Sequence, residues 1–385
     1  VLRIIQTHGP SSRADVTRYS GISAPTVSKA VASLLRAGLL EEEDAPELSR
    51  GRPAKQLRLA SRRAQVLGLV IDAAVCRLVS AGLDGKLHED RACEFPTPAT
   101  YAELIRTITV ETQRLMMAAG VTTLGLGISI PGLIDYRRQR ALLSPNVPVT
   151  NGHTPALDLG RELGIECVML QETHALCLAE RHYGDARGLD DFAMLDVSTG
   201  VGLGVMSGGR LLTGHSGLAG EVGHITVELD GRACGCGNRG CLETVASDSA
   251  FAWMVSQRCG QPLTINEILA RARSGELSVA TELQKTLRYL AIGLAAVINL
   301  FNPSTLFIHG ELFALDESIF PRLVDETRQR TLGPSFEDCR VVQARGSKRQ
   351  GAVAGIIEHL TTSVAPAVMR GTHFLTTEHA NGHTR

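Results

Sequence analysis

Between Glu221 and Glu243 the chain places one histidine and three cysteines in a glycine-rich run. His224 follows Glu221-Val222-Gly223, and Cys234, Cys236 and Cys241 lie in Cys-Gly-Cys-Gly-Asn-Arg-Gly-Cys-Leu-Glu. Three thiolates and one imidazole are a complete tetrahedral set for structural zinc, with no position left for water. The glycines suit a backbone that must aim several ligands at one ion, because such a path needs positive φ. Zn2+ held by His224, Cys234, Cys236 and Cys241 is the first expectation. Disulfides and free thiols are the competing readings. Nine cysteines, odd in number and irregular in spacing, do not look like a disulfide framework. No signal peptide is visible, and no apolar run reaches the roughly 18 residues that span a bilayer. A cytoplasmic protein without membrane insertion is expected, and in that reducing compartment Cys/His clusters read as metal sites.

These residues need a scaffold, and 385 residues are enough for two or three domains. Hydrophobic residues make up 44% and aromatics 4%, so the core must be mainly aliphatic. A net charge of −1 gives no global attraction to polyanions, but the charge is uneven along the chain. From Val1 to Leu40, Arg3, Arg13, Arg18, Lys29 and Arg36 face a single Asp15. Glu41-Glu42-Glu43-Asp44 follows, and then Arg50, Arg52, Lys55, Arg58, Arg62 and Arg63. The basic clusters are a first hint of nucleic acid.

The local pattern strengthens that hint. A helix over Leu2–His8 precedes a second, capped by Ser12 with Asp15 in its first turn. Gly21 breaks the pattern, Ser23 caps a third helix, and Pro25 is tolerated in its first turn. Val27, Val31, Leu34 and Leu35 share one face of that helix. Thr26, Ser28 and Lys29 lie on the other, small and polar, as a helix entering a major groove requires. A two-stranded wing ends in Gln56-Leu57-Arg58-Leu59. Its Arg50-Gly51-Arg52-Pro53 loop suits the negative potential of a narrow minor groove. Residues 1–63 thus read as a winged helix-turn-helix, with Thr26, Ser28, Lys29, Arg50 and Arg52 as DNA contacts. The plainer alternative is a small helical dimerisation module with a solvated loop.

From Gln65 onward short apolar runs alternate with helices, an α/β texture. Leu67–Asp72 with Leu78–Gly85, and Ala193–Met206 with Gly208-Gly209, read as two similar β-hairpins. They suggest a duplicated fold of two lobes with a cleft between them. Helices are predicted over Tyr101–Ala118, Glu172–His182 and Glu282–Phe301. Asn302-Pro303 stops the last of these before a strand over Thr305–His309. Residues 365–385 are polar without periodicity and read as a disordered tail.

With these pieces assembled, the chain resembles the ROK family of repressors, open reading frames and sugar kinases, from Val1 to a helix at Gly351–Glu358. Gly127-Ile-Ser-Ile-Pro-Gly-Leu-Ile-Asp135 is similar to the family's strand and Pro-Gly turn. Ser144-Pro145-Asn146 resembles its sugar-contacting loop, and Thr199-Gly-Val-Gly-Leu-Gly204 its second phosphate loop. Gly220-Glu-Val-Gly-His224 and the Cys234–Glu243 segment resemble its signature and zinc segment. The resemblance implies an actin-like, ribonuclease H-like duplicated sugar-binding domain over 64–364. It also implies sugar contacts at Asn146, Glu172, Glu221, His224 and Glu243.

The family holds both enzymes and regulators, and the departures from its pattern fall on phosphoryl transfer. Its usual Asn-Asp pair is here Gln171-Glu172. One extra methylene displaces a base by over an ångström, and such misplacement costs on the order of 100-fold. The Asp-x-Gly-Gly-Thr of the first phosphate loop is here Asp72-Ala73-Ala74-Val75-Cys76. That change obstructs backbone approach to phosphate and removes a hydroxyl donor. The Gly-Gly near adenosine is here His309-Gly310-Glu311. The expectation is a regulator that binds operator DNA and a sugar or sugar phosphate effector, with no catalytic residue beyond a degenerate base position at Glu172. The alternative is an active sugar kinase using ATP. An operator of twofold symmetry implies a homodimer or homotetramer.

Overall fold

The structure, a computed structural model, describes residues 1–44, 55–117 and 120–362. Its amino-terminal part has helices α1 (Leu2–His8), α2 (Arg13–Ser20) and α3 (Ala24–Arg36), then strands β1 (Leu40–Asp44) and β2 (Lys55–Leu59). Ser12 and Asp15 cap α2 reciprocally: the Asp15 amide donates to Ser12 Oγ at 3.1 Å, and the Ser12 amide to Asp15 Oδ2 at 3.0 Å. Gly21, at φ 66°, closes α2 in the left-handed region that favours glycine. Ser23 occupies the cap position of α3 but makes no capping bond, which corrects the sequence expectation. Its hydroxyl instead meets the Thr26 hydroxyl at 2.9 Å. β1 and β2 pair antiparallel, with Leu40 opposite Leu59. The loop with Arg50 and Arg52 lies outside the described residues, as does 365–385.

The acidic strand β1 faces the basic side chains around it. Arg58 pairs with Glu41 at 3.0 Å and with Glu43 at 2.9 Å. Arg13 pairs with Glu42 at 2.7 Å, and Lys55 and Arg62 approach Glu42 and Glu43 at 3.6 and 3.5 Å. The Arg62 and Arg63 amides donate to Glu41 Oε1 at 3.0 and 3.1 Å.

The rest of the chain is an α/β fold of two lobes. The first lobe contains β3 (Ala64–Ile71), β4 (Val75–Ala81), β5 (Leu87–Pro96), α4 (Tyr101–Met116), β6 (Thr122–Ile130), β7 (Leu133–Asp135), β8 (Arg140–Leu143), α5 (Pro155–Leu163), β9 (Glu166–Gln171) and α6 (Glu172–Tyr183). The second contains β10 (Phe192–Asp196), β11 (Gly202–Ser207), β12 (Arg210–Leu211), α7 (Glu243–Ala246), α8 (Asp248–Cys259), α9 (Ile265–Arg273), α10 (Ala280–Phe301), β13 (Thr305–His309), α11 (Ile319–Arg328), α12 (Gly333–Glu337) and β14 (Arg340–Gln343). The last helix, α13 (Lys348–Thr362), returns to the first lobe, where it packs on β3, β6 and α6.

The two sheets have the same plan. Their strand orders are β5-β4-β3-β6-β9 and β12-β11-β10-β13-β14. In each, the central strand forms an antiparallel hairpin with one neighbour and pairs parallel with the other. Parallel pairing requires a long crossover, which the intervening helices supply. β3 and β10 are buried along their whole length, as strands covered on both faces must be. α10 ends at Asn302, whose φ of 42° reverses the chain into β13. Glycines let α13 approach the first sheet closely: a Cβ on Gly127 would strike the Ala352 carbonyl oxygen, and one on Gly68 would lie 2.7 Å from Val353.

The amino-terminal part is not a separate bead. Leu2, Ile5, Val16, Val27, Val31 and Leu57 share one buried cluster with Val66 and Leu124 of the first sheet and with Ile356, Ile357 and Leu360 of α13. No described helix is long and apolar enough to cross a membrane.

Candidate ligand cleft and metal centre

The metal-candidate residues come together although His224 lies ten positions before Cys234. The segment folds back on itself, with bridges between Thr226 and Cys241 and between Ala233 and Arg239. The ligand atoms of His224, Cys234, Cys236 and Cys241 all lie within 4.8 Å of one another. Cys236 Sγ is 3.8 Å from Cys241 Sγ, and Cys234 Sγ is 3.6 Å from His224 Nδ1. A tetrahedron with metal–sulfur bonds of about 2.3 Å and metal–nitrogen bonds of about 2.0–2.1 Å has edges of about 3.8 and 3.6 Å. The donor set therefore fits a metal ion. Cys234 Sγ donates to Glu243 Oε1 at 2.8 Å. A metal-bound thiolate has no proton to donate, so metal loading would release the Glu243 carboxylate to face the cleft.

His224 stands between the three cysteines and that cleft. Its Nδ1 faces Cys234, while its Nε2 lies 3.6 Å from Glu221 Oε2. Asn146, Glu172, Glu221, His224 and Glu243, the five residues expected at a sugar, all line one cavity of about 130 Å³ between the lobes. Pro131, Gly132 and Gly200 close it. Gly132, at φ 98°, turns the end of β6 into β7 where a Cβ would strike the Leu143 carbonyl. A Cβ on Gly200 would lie 2.8 Å from Glu243 Oε2, so a larger residue there would push on that carboxylate. Gln171 Nε2 donates to Glu221 Oε1 at 3.1 Å and joins β9 to the signature segment. Burial raises the Glu221 pKa, against the opposing pull of His224 and Gln171.

Glu172 is the first residue of α6, as counting back from Glu180 places it. It is not a free carboxylate. Lys348 Nζ lies 2.6 Å from Glu172 Oε1 and 3.3 Å from Asp196 Oδ2; both carboxylates are buried and the lysine is half-buried. Burial alone would lower the Lys348 pKa, but Asp196 and Glu172 outweigh it and raise it. Burial raises the Glu172 pKa, which Lys348 opposes and Asp196 increases further. For Asp196 burial works upward, yet Lys348 and the bond from His309 Nδ1 at 2.8 Å hold its pKa well below the usual range. Sequence reasoning missed Lys348, Asp196 and His309 as partners. Asp196 stood at the end of a recognised strand, whereas a lysine before a helix carries no signal of what it meets.

The first phosphate-loop position is a closed turn. Asp72 Oδ1 accepts from the Ala73 amide at 2.7 Å, and the Thr97 hydroxyl donates to the Asp72 carbonyl at 2.7 Å. A larger cavity of about 740 Å³ opens beyond Ser198 and Thr199 toward Trp253, Gln257 and Glu311. On its wall Asp248 accepts from the Glu311 and Leu312 amides at 2.6 and 3.0 Å. Burial outweighs those two bonds and pushes the Asp248 pKa up to about 7.

At the amino terminus, Thr26 and Lys29 are exposed on α3, Ser28 is half-buried, and Val27 and Val31 are buried on the opposite face. Arg50 and Arg52 lie outside the described residues.

Comparison with known proteins matches this architecture part by part. A model described as "MarR family" matches residues 1–51. Over 335 residues the chain is 28% identical to the DNA-binding transcriptional dual regulator NagC of Escherichia coli K12, covering 84% of this chain and 82% of NagC. It is 26% identical to the xylose repressor of Bacillus subtilis over 366 residues, covering 93% and 94% of the two chains. The crystal structure of a ROK family transcriptional regulator, a homologue of the E. coli Mlc protein, superposes with a TM-score of 0.78 at 27% identity, covering 93% and 94%. The ROK family model itself matches residues 69–359, which hold nearly all of both sheets, the cleft and the His/Cys cluster: this chain belongs to the ROK family.

Proposed function

We propose that the protein is a sugar-responsive, DNA-binding transcriptional repressor whose kinase-like body senses a carbohydrate and no longer transfers phosphate. The observation that carries this reading is the cleft itself. It gathers five polar residues suited to sugar hydroxyls beside a metal cluster, while the carboxylate at the base position is ion-paired with Lys348. A base must be within hydrogen-bond reach of the hydroxyl proton, and the Glu172 oxygen that meets Lys348 at 2.6 Å is already occupied. The relatives that the chain matches over most of its length include a xylose repressor and a DNA-binding transcriptional dual regulator.

In this reading the amino-terminal part is a winged helix-turn-helix, with α3 as the recognition helix and Thr26, Ser28 and Lys29 toward base edges. The two like-ordered sheets are a ribonuclease H-like duplication. The metal is structural Zn2+, which fixes the 221–243 segment and orients His224 so that its second ring nitrogen faces the sugar. Sugar binding changes the angle between lobes and hence the spacing of two reading heads in a homodimer or homotetramer. Half-sites lie roughly 34 Å apart per helical turn, so a small rotation withdraws one head. The sugar must bind the two states with different affinity for this to work.

The test is an Asn146→Ala variant in operator-binding assays with and without sugars from a panel that includes D-xylose and N-acetyl-D-glucosamine. Operator affinity is expected within about twofold of wild type, and the sugar response is expected to be lost. A normal response in the variant overturns the pocket assignment. Brisk ADP release with ATP and a hexose would favour the alternative of an active sugar kinase.

A further inference from the structure

α13 connects the floor of the cleft to the amino-terminal part. At its first residue, Lys348 reaches two carboxylates that belong to different sheets: Glu172 follows β9 of the first, and Asp196 ends β10 of the second. Glu172 is adjacent to Gln171, whose side chain holds Glu221 at the cleft. The helix then runs for 15 residues, about 22 Å at 1.5 Å per residue. Its far half carries Ile356, Ile357 and Leu360 into the cluster shared with Leu2, Ile5 and Leu57. Polar contacts reinforce that end: Glu358 Oε2 meets His182 Nε2 at 2.9 Å, and His182 Nδ1 meets Gln6 Nε2 of α1 at 3.2 Å.

A helix is stiff along its axis, and packed interfaces rearrange between discrete arrangements rather than deforming continuously. Lys348 cannot keep both partners if the two sheets change their separation. A ligand that alters the lobe angle, or draws on Glu172, therefore changes the force on the start of α13. The close seat of that helix on Gly127 and Gly68 leaves little slack to absorb the change within the first sheet.

We propose that Lys348 is the positioning residue through which the state of the cleft is transmitted along α13 to the amino-terminal helices. The inference rests on the regulator reading for its purpose, while the coupling itself can be measured without a sugar or an operator. Hydrogen–deuterium exchange of the zinc-loaded full chain is read in wild type, Lys348→Met and Lys348→Arg. In Lys348→Met, amides of residues 2–8 and 55–59 are expected to exchange at least tenfold faster, with residues 225–242 unchanged. Lys348→Arg, which keeps the charge, is expected to return residues 2–8 to within about twofold of wild type. Faster exchange confined to residues 172–175 and 348–352 overturns the proposal. So does uniform acceleration across the chain, or a Lys348→Arg variant as perturbed as Lys348→Met. A failed sugar response in wild type would refute the regulator reading and leave this exchange pattern standing. A flat exchange result would leave the Asn146→Ala experiment unaffected.

Discussion

The His224 ring has a different neighbour at each of its nitrogens. One nitrogen faces a cysteine thiol and the other a cleft carboxylate, so a metal on the first fixes the second. The grouping of His224 with the three cysteines was legible in the sequence because the residue types are rare and their spacing is short. The pairing of Lys348 was not, because its partners stand 176 and 152 positions earlier and only the packing of α13 brings them together. Cys236 offers the cleanest test of the metal. Cys236→Ser removes one of four ligands, and bound zinc measured by elemental analysis is expected to fall from one per chain to near none. The melting temperature should fall with it, since metal affinity is folding energy for a segment of this kind. Unchanged zinc content would exclude Cys236 from the site.

The elements most readable in the sequence were those with local punctuation. Helix α2 has its reciprocal cap, α10 its stop at Asn302-Pro303, and β13 a short apolar run after that stop. Strands β6 and β9 were harder, because a strand buried in a parallel sheet has no alternation to show. Helix α13 was visible only in part, as residues 351–358 of the 348–362 it occupies. Its seat depends on a glycine in another element. Gly127→Ala places a Cβ on the Ala352 carbonyl oxygen, a backbone atom that cannot rotate away. The helix must shift, at a cost of about 1–3 kcal/mol. Urea unfolding should show a lower midpoint with unchanged slope; a midpoint equal to wild type would mean that the helix has room to move.

For the whole molecule, two lobes were foreseeable from two hairpins, but the shared strand order emerges only from the pairing of strands far apart in the chain. One buried residue at the interlobe side of α6 makes stability depend on pH. The Gln171 amide donates to Tyr136 Oη at 3.0 Å, and that hydroxyl meets His174 Nδ1 at 2.6 Å. His174 is 1% exposed, and burial pushes its pKa down to about 4. An unfolded imidazole titrates near 6.5, so the unfolded state binds the extra proton first as the solution is acidified. The contribution is whole above about pH 6.5 and is lost as pH falls toward about 4, on the order of 3 kcal/mol. Chemical unfolding of wild type and His174→Gln across that window checks it: the wild type should lose more stability, and parallel curves would assign the loss elsewhere.

The ion pairs of β1 bear on how this protein meets a polyanion. A phosphate backbone binds by exchanging its condensed counterions for protein cations, and each uncommitted cation adds to the dependence on ionic strength. Arg13, Lys55, Arg58 and Arg62 are already matched to Glu41, Glu42 and Glu43. The basic side chains around this strand are thus matched before any duplex arrives. In the proposed reading, recognition through this strand's neighbourhood is weighted toward shape and base edges over bulk attraction, an arrangement that lets nonspecific DNA be released readily.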